Sequence, residues 1–306
     1  MRIIFFGTPD FAVPSLQALL RDHRCQVVGV VTQPDAKRGR GGQLSPSPVK
    51  QVALAYDVHI WQPERLRKDE LVLAELAERG ADFFVVVAYG QILPRSVLAM
   101  PRYGCINVHG SLLPRYRGAA PIQWAIANGE EVTGVTTMLM DEGIDTGAML
   151  LKAETRIDPA DNAATLSEKL AELGADLLIE TLVHFSEITP QPQEDRLASY
   201  APLIKKEDWE LDINQPAQYL HNRIRGFYPD CWLHLLGQRV KLYQTEVVPS
   251  TGTVGTVTAL VKQAGFVVQT GAQGLLIKEL QVENKKRQSG WDFVNGARLK
   301  VGMAIV

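Results

Sequence analysis

Three polar residues in the middle of the chain have types and spacing that could do chemistry together. Asn107 and His109 alternate along the apolar run Cys105–His109, so a strand would place both side chains on one face. Asp145 follows later, within the stretch Asp141–Gly147. An amide donor, an imidazole and a carboxylate can stabilise an oxyanion and move a proton. No activated serine or cysteine accompanies them, which favours attack by a nucleophile that the substrate supplies.

A histidine in a strand is more often a structural residue than a catalytic one. The surroundings favour catalysis here, because both polar segments run into loops rich in glycine, proline and polar residues, 110–121 and 141–147. A polar pair at the carboxyl end of a buried strand is also where open α/β sheets place their sites. We therefore take Asn107, His109 and Asp145 as the candidate catalytic group.

Composition describes an ordinary globular protein rather than a specialised one. The chain has 306 residues, a formal net charge of −2, 46% hydrophobic residues and 22% charged residues. Its three cysteines are far apart and form no CxxC pair, which argues against a disulfide framework or a zinc site. No apolar run reaches the length of a signal-peptide core or a membrane helix. We expect a cytoplasmic protein without a bound metal.

Apolar runs alternate with helix-like segments through the first half of the chain. This alternation predicts an α/β fold with a Rossmann-like, doubly wound, mostly parallel sheet. The predicted strands are Arg2–Phe6, Gln26–Val31, Phe83–Val87, Cys105–His109 and Val132–Met140. The predicted helices are Pro14–Leu20, Pro48–Tyr56, Asp69–Arg79, Pro121–Asn128 and Leu166–Phe185.

The remainder of the chain changes in character after residue 188. Residues 189–206 are rich in proline and polar residues, as linkers are. A helix near Pro216–Arg225, five short strand-like runs separated by turn signals, and a helix around Trp291–Asn295 follow. This pattern predicts a small OB-like β-barrel. We therefore expect a catalytic domain at 1–188, a linker at 189–206 and a second domain at 207–306.

Basic residues occur in places where they could meet phosphate. Lys37, Arg38 and Arg40 lie in a glycine-rich loop after the second predicted strand, which is either a solvated loop or a mobile phosphate contact. Most of the basic residues in the second half would be plain surface charges, and a line of them facing one way would form a phosphate track. Residue spacing alone leaves both interpretations open.

The motifs around the candidate catalytic group resemble those of the folate-dependent formyltransferase family. The resemblance rests on Asn107–Pro121 and Asp141–Gly147, and it extends from residue 2 to about residue 300. Four further segments support it: Phe6–Phe11, Thr32–Asp35, Ser45–Lys50 and Val85–Gly90. Among family members, the motifs are most similar to those that act on an aminoacyl-tRNA.

The resemblance implies transfer of a formyl group from 10-formyltetrahydrofolate to the α-amino group of methionyl initiator tRNA. It also implies a Rossmann-like catalytic domain, an OB-like tRNA-binding domain, a monomer, no metal, and catalysis by Asn107, His109 and Asp145. The expected folate-binding residues are Val87, Tyr89, Gln91, Ile92, Leu93, Ser111, Leu112, Leu113, Pro114, Asp141, Glu142, Gly143 and Ile144. The expected tRNA-binding residues are Lys37, Arg38, Arg40, Lys205, Lys206, Arg223, Lys285 and Lys286.

Other functions share this catalytic core. The acceptor could be a purine-pathway ribonucleotide, a nucleotide-sugar amine or water, and the chain could also be a non-catalytic tRNA- or folate-binding module. The C-terminal barrel argues against the purine-pathway enzyme, which resembles only the first domain. The basic loop favours tRNA as the acceptor, and the complete Asn107, His109 and Asp145 set argues against a non-catalytic module.

Overall fold

The computed structural model describes residues 1–38 and 43–306 and divides the chain into two compact units. The first unit comprises Met1–Ala119, Val132–Arg156 and Ser167–Ala201. The second comprises Ala120–Glu131, Ile157–Leu166 and Pro202–Val306. The predicted linker is thus divided at Ala201, and two short segments before it belong to the second unit. The domain bounds 1–188 and 207–306 stay a prediction.

The strands and helices follow the chain in an α/β order and then a mainly β order. The strands are β1 (Arg2–Gly7), β2 (Gln26–Val31), β3 (Ala36–Arg38), β4 (Gln43–Ser45), β5 (Ile60–Trp61), β6 (Phe83–Val87), β7 (Cys105–His109), β8 (Val132–Leu139), β9 (Met149–Arg156), β10 (Trp232–Leu235), β11 (Gln238–Val248), β12 (Val257–Val261), β13 (Gly265–Gln269), β14 (Gly274–Val282) and β15 (Gln288–Ser289). The helices are α1 (Val13–Arg21), α2 (Pro48–Ala55), α3 (Glu70–Glu78), α4 (Arg95–Leu98), α5 (Pro121–Ala127), α6 (Ala163–Val183), α7 (Ala217–Gly226) and α8 (Gly290–Ala297).

Within the described residues, seven strands form the sheet of the first unit. Their order is β5-β2-β1-β6-β7-β8-β9. The pairs from β5 to β7 are parallel, whereas β8 pairs with β7 and β9 in antiparallel fashion. All five residues of β6 are buried, as expected for a parallel strand covered on both faces. The predicted α/β fold with a mostly parallel, doubly wound sheet is confirmed.

Local sequence explains where several of these elements begin. Ser47 caps α2, because its Oγ accepts a hydrogen bond from the backbone N of Lys50 at 3.0 Å and Pro48 occupies the first helical position. Asp69 caps α3 in the same way through Val72 N at 3.2 Å. Such caps satisfy backbone donors that the first turn of a helix leaves free. The predicted bounds of β2, β6 and β7 match the structure residue for residue.

The sequence analysis did not find β9, the edge strand beside β8. Its first two residues are buried, but the rest alternates between exposed and half-buried positions, with Lys152 and Glu154 among them. A strand that pairs on one side and faces solvent for most of its length lacks the apolar density that revealed the buried strands.

The second unit is built on an antiparallel sheet with its own core. The strand order is β10-β11-β14-β13-β12, and β15 also pairs with β14. Residues of α5, α7 and α8 share the core with this sheet, including Ala127, Leu220, Ile224, Phe293 and Val294. This arrangement is consistent with the predicted OB-like, barrel-like domain.

The close approach of Gly29 to Trp61 gives a stability prediction. A Cβ at Gly29 would lie 2.2 Å from the Trp61 ring, whose Nε1 donates to Glu75 Oε2 at 2.6 Å. We expect Gly29→Ala to lower the free energy of unfolding by about 1–3 kcal/mol, because the indole must move. Urea denaturation followed by circular dichroism measures this change.

Gly296→Ala is the matched control, since outside its own helix backbone none of the described residues lies within 4 Å of a Cβ at that position in α8. We expect a change of less than about 1 kcal/mol, on the stabilising side, because alanine favours helix more than glycine does. Equal losses of stability in the two variants would contradict the packing argument.

Candidate active site

The three predicted catalytic side chains lie together at the carboxyl end of β7. Asn107 Nδ2 donates a hydrogen bond to Asp145 Oδ1 at 3.2 Å, and His109 Nδ1 lies 3.6 Å from Asp145 Oδ2. The backbone N–H of Gly118 donates to Asp145 Oδ2 at 2.8 Å. The side chains of His109 and Asp145 are only 7% and 14% exposed, which strengthens electrostatic contacts between them.

A backbone carbonyl fixes the orientation of the His109 ring. Nε2 lies 2.9 Å from the carbonyl oxygen of Tyr116, and a carbonyl can only accept a hydrogen bond. Nε2 therefore carries a proton, and Nδ1 is the ring nitrogen that faces Asp145 and can gain or lose one. This geometry assigns proton transfer to Nδ1.

The loop that presents Asp145 is held by its own polar groups and by close packing. Asp145 has a φ of 54°, in the left-handed region. Asp141 Oδ1 accepts hydrogen bonds from Gly143 N at 3.0 Å and from Thr146 Oγ1 at 2.7 Å. A Cβ at Gly147 would lie 1.7 Å from the carbonyl oxygen of Leu139, so only glycine allows the chain to pass here.

Side chains of β8 and β9 hydrogen-bond to the backbone of the loop after His109. Thr136 Oγ1 donates to the carbonyl of Ser111 at 2.7 Å and accepts from Leu113 N at 3.1 Å. Lys152 Nζ donates to the carbonyl of Leu113 at 2.5 Å, and burial lowers the pKa of this lysine. Residues of β8 and β9 thus fix the backbone of the loop that follows His109.

Several of the predicted folate-binding residues support the site from its interior. Val87, Tyr89 and Leu93 are buried, and the Tyr89 ring packs edge-on against Phe6 at 5.5 Å. Tyr89 Oη is buried without a hydrogen-bond partner among the described residues, and burial raises the pKa of this phenol. A buried hydroxyl without a partner is a group that a bound ligand could satisfy.

Other predicted folate-binding residues lie exposed at the surface. Ile92 and Ile144 are 75% and 66% exposed, although both are large aliphatic residues. An ion pair of 3.4 Å between Arg95 Nε and Glu142 Oε1 joins the start of α4 to the loop 141–147. Gln91 is engaged elsewhere, since its Oε1 accepts from Leu66 N at 2.9 Å. The structure thus brings the two loops expected to bind folate next to each other.

The predicted folate-binding residues that follow His109 divide by burial. Ser111 and Leu113 are fully buried, with Ser111 Oγ donating to the carbonyl of Arg115 at 2.6 Å and Leu113 packing beside Met138 and Met149. Leu112 and Pro114 are half-buried, whereas Asp141 and Gly143 are exposed. The side chains of Ser111 and Leu113 support the loop, and their contact with folate stays a prediction.

The residues expected to bind tRNA are spread over the chain. Lys37 and Arg38 belong to β3, which pairs with β4, and Arg40 lies outside the described residues. Four lysines of the predicted set are exposed in the second unit, two at the start of the 3-10 turn Lys206–Trp209 and two between β14 and β15. They are Lys205, Lys206, Lys285 and Lys286. Their contact with tRNA stays a prediction.

Arg223 has a role that the sequence did not indicate. Its side chain is 14% exposed, and its guanidinium carbon lies 4.7, 5.5 and 5.8 Å from the ring centres of Phe227, Tyr219 and Trp124. Nη2 also donates to the carbonyl of Asp208 at 2.8 Å. These cation–π and hydrogen-bond contacts make Arg223 a packing residue of the second unit.

Sequence reasoning missed three contributors to the site. The carbonyl of Tyr116 and the N–H of Gly118 are backbone groups, which carry no side-chain signal, although glycine-rich loops favour such contacts. The third is Gln193, whose amide contacts the Asp145 loop from within the predicted linker. Because that stretch is rich in proline and polar residues, the sequence predicted a linker and gave no sign of a role for Gln193.

The part of the chain that the structure describes shows neither a candidate metal site nor a candidate membrane-spanning helix. No cluster of three or more His, Cys, Asp or Glu side chains there could hold a metal ion. No helix of that part has both the length and the apolar character needed to cross a bilayer.

The comparison with protein families decides what kind of site this is. The family described as "Formyl transferase" matches residues 1–182, and "Formyl transferase, C-terminal domain" matches residues 203–298. The chain belongs to the formyl transferase family. Asn107, His109 and Asp145 all lie within the first matched region.

Curated relatives cover nearly the whole chain. A methionyl-tRNA formyltransferase of Cyanothece sp. (strain PCC 7425 / ATCC 29141) is 53% identical over 99% of this chain and 98% of its own length. One from Thermosynechococcus vestitus (strain NIES-2133 / IAM M-273 / BP-1) is 54% identical over 98% of this chain and 97% of its own length.

Solved structures share the fold at much lower identity. WlaRD, described as a sugar 3N-formyl transferase in the presence of dTDP and 5-N-formyl-THF, aligns with a TM-score of 0.70 and 21% identity. The alignment covers 94% of this chain and 99% of WlaRD. This likeness establishes the formyltransferase fold for the chain.

The packing of Arg223 gives a prediction that separates a structural arginine from a tRNA contact. We expect Arg223→Ala to lower the free energy of unfolding by about 2 kcal/mol or more, because it removes a desolvated cation from three rings and a hydrogen bond from Asp208. Thermal and urea unfolding measure this loss.

Lys286→Ala serves as the control, since Lys286 is exposed and its loss should change stability by less than about 0.5 kcal/mol. A melting curve of Arg223→Ala that matches the wild type would contradict the packing role, and weaker tRNA binding by that variant would support the contact role predicted for Arg223.

Proposed function

We propose that the chain transfers the formyl group of 10-formyltetrahydrofolate to the α-amino group of methionyl initiator tRNA. The observation that carries the proposal is the meeting of Asn107, His109 and Asp145 at one buried edge of the sheet. The acceptor follows from full-length relatives above 50% identity that are named methionyl-tRNA formyltransferase. We further propose that the protein is cytoplasmic, in keeping with its free cysteines, and that it acts as a monomer.

The chemistry needs positioning and electrostatics more than a protein nucleophile. An α-amino group titrates at about 8 in peptides, so a useful fraction is already nucleophilic at neutral pH. Asn107 has two amide hydrogens, of which one binds Asp145, so the other can donate to the oxygen of the formyl group as it becomes an oxyanion. Such a donor is stronger in a buried site than in water.

His109 and Asp145 supply the proton pathway. As the amine nitrogen bonds to the formyl carbon, Nδ1 of His109 takes the excess proton, and the Asp145 carboxylate stabilises the resulting imidazolium. His109 then returns the proton to the folate nitrogen as its bond to the formyl carbon breaks. Tyr116 keeps the ring fixed through both transfers, because its carbonyl holds the Nε2 proton.

The residues near the site fit a folate. The exposed side chains of Ile92 and Ile144 can cover an apolar ring system, and the buried hydroxyl of Tyr89 has no hydrogen-bond partner among the described residues. The exposed Arg95–Glu142 ion pair links the two loops at the surface. These residues would bind and orient the formyl donor, whose N-formyl group is the source of the transferred carbon.

Substitution of the catalytic group tests the assigned roles. We expect Asn107→Ala and Asp145→Ala each to lower kcat by about a hundredfold or more, because each removes an oxyanion donor or the partner of His109. Steady-state formylation assays measure the loss, and circular dichroism checks that the fold survives. Near-normal turnover in either variant would overturn the assignment.

An acceptor competition tests the function itself. We expect fast formylation of initiator Met-tRNA in the presence of elongator Met-tRNA, glycinamide ribonucleotide and a dTDP-amino sugar. The kcat/KM for tRNA should fall at least tenfold between about 50 and 200 mM salt, because binding to phosphates releases counterions. Transfer to a small amine, or release of formate with little dependence on salt, would exclude tRNA as the acceptor.

A further inference from the structure

The segment after α6 lies against both loops of the catalytic site. We call residues 191–201 the strap. Gln191 exchanges two backbone hydrogen bonds with Met149, each 2.8 Å long. Further along the strap, Ser199 O accepts from Arg117 N at 2.8 Å, and Ser199 Oγ accepts from Tyr116 N at 2.9 Å. The strap therefore pairs with the edge of the sheet at one end and with the loop after His109 at the other.

The side chain of Gln193 joins the two catalytic loops across the strap. Its Nε2 donates to the carbonyl oxygens of Asp145 and Gly147, at 2.8 Å each. Its Oε1 accepts from Nε of Arg117 at 2.9 Å. Carbonyls only accept and a guanidinium only donates, so these contacts allow one orientation of the amide. Arg117 is itself 2% exposed and pairs with Asp195 at 2.9 Å.

We propose that Gln193 is a positioning residue for formyl transfer, which acts by holding the backbone of Asp145 in register with the loop after His109. The inference rests on the proposed function, since formyl transfer is the activity that it affects. Asp145 sits in the left-handed region, a conformation that costs a non-glycine residue free energy and persists only where neighbours enforce it. Gln193 supplies that enforcement at the carbonyl of Asp145 and again at Gly147.

The proposed mechanism makes a specific demand on the side chain at position 193. It must donate twice toward the Asp145 loop and accept once from Arg117. Glutamate has the same length and accepts from Arg117, but it presents oxygens to two carbonyl oxygens and repels them. Methionine fills similar space without a strong donor. Either change releases the Asp145 loop, while the remaining contacts of the strap stay in place.

The decisive test compares Gln193→Glu with Gln191→Glu. Both replace a strap glutamine with a carboxylate. Gln191 differs from Gln193 because it binds Met149 through its backbone alone, and its side chain is exposed. We expect Gln193→Glu to lower kcat by about tenfold to a hundredfold with KM for Met-tRNA within about twofold, since a small misplacement of a catalytic group has effects of that size. Gln191→Glu should behave as the wild type.

A double-mutant cycle separates positioning from a general structural effect. If Gln193 acts through Asp145, Gln193→Glu should lower kcat by less than about twofold in an Asp145→Ala background. A further tenfold loss in that background would overturn the inference. Gln193→Met is the second variant, and it should show the same loss of kcat if the carboxylate of Gln193→Glu prevents folding.

The controls distinguish failure of this inference from failure of the proposed function. Wild-type protein that does not formylate Met-tRNA would contradict the proposed function. Active wild-type protein together with normal kcat in folded Gln193→Glu or Gln193→Met would overturn the positioning role alone. A loss of kcat equal in Gln191→Glu and Gln193→Glu would also overturn it, because the strap charge would then be the cause.

Discussion

The Asp145 carboxylate is the interaction on which the catalytic site depends. One oxygen accepts from Asn107, and the other accepts from Gly118 N and faces Nδ1 of His109. Strand β7, the loop after it and the loop 141–147 therefore converge on a single, largely buried charge. A buried carboxylate is costly unless it is hydrogen-bonded, so these partners stabilise the charge and are fixed by it. Displacing Asp145 would disturb all three elements together.

The support for this carboxylate comes from ordinary packing constraints. Gly147 passes too close to the carbonyl of Leu139 for any side chain, which fixes the end of the Asp145 loop. Thr136 and Lys152 bind the backbone of the loop after His109 from the antiparallel strands β8 and β9. The antiparallel edge of the sheet thus serves as a platform for the site, while the parallel strands supply Asn107 and His109. All of these contacts lie within the first unit.

The sequence predicted the elements whose signal is local. Buried strands such as β6 and β7 show dense apolar runs, and a period of two placed Asn107 and His109 on one face. Strand β9 was not predicted because its side chains are mostly exposed or half-buried. The contacts of Gly118 N and Tyr116 O were not predicted because they are made by backbone groups. The sequence did not indicate the contacts of Gln193 or the packing of Arg223 against Trp124, since these partners lie far away along the chain, 99 residues for Arg223 and Trp124.

The state of the His109 ring tests the account most directly. Protein labelled with ¹⁵N-histidine, observed through long-range ¹H–¹⁵N couplings, reports which ring nitrogen carries the proton. The account predicts that the neutral ring of His109 carries its proton on Nε2, held by the Tyr116 carbonyl, and that Nδ1 is the unprotonated nitrogen. A neutral ring with its proton on Nδ1 and an unprotonated Nε2 would contradict the proposed proton transfer at Nδ1.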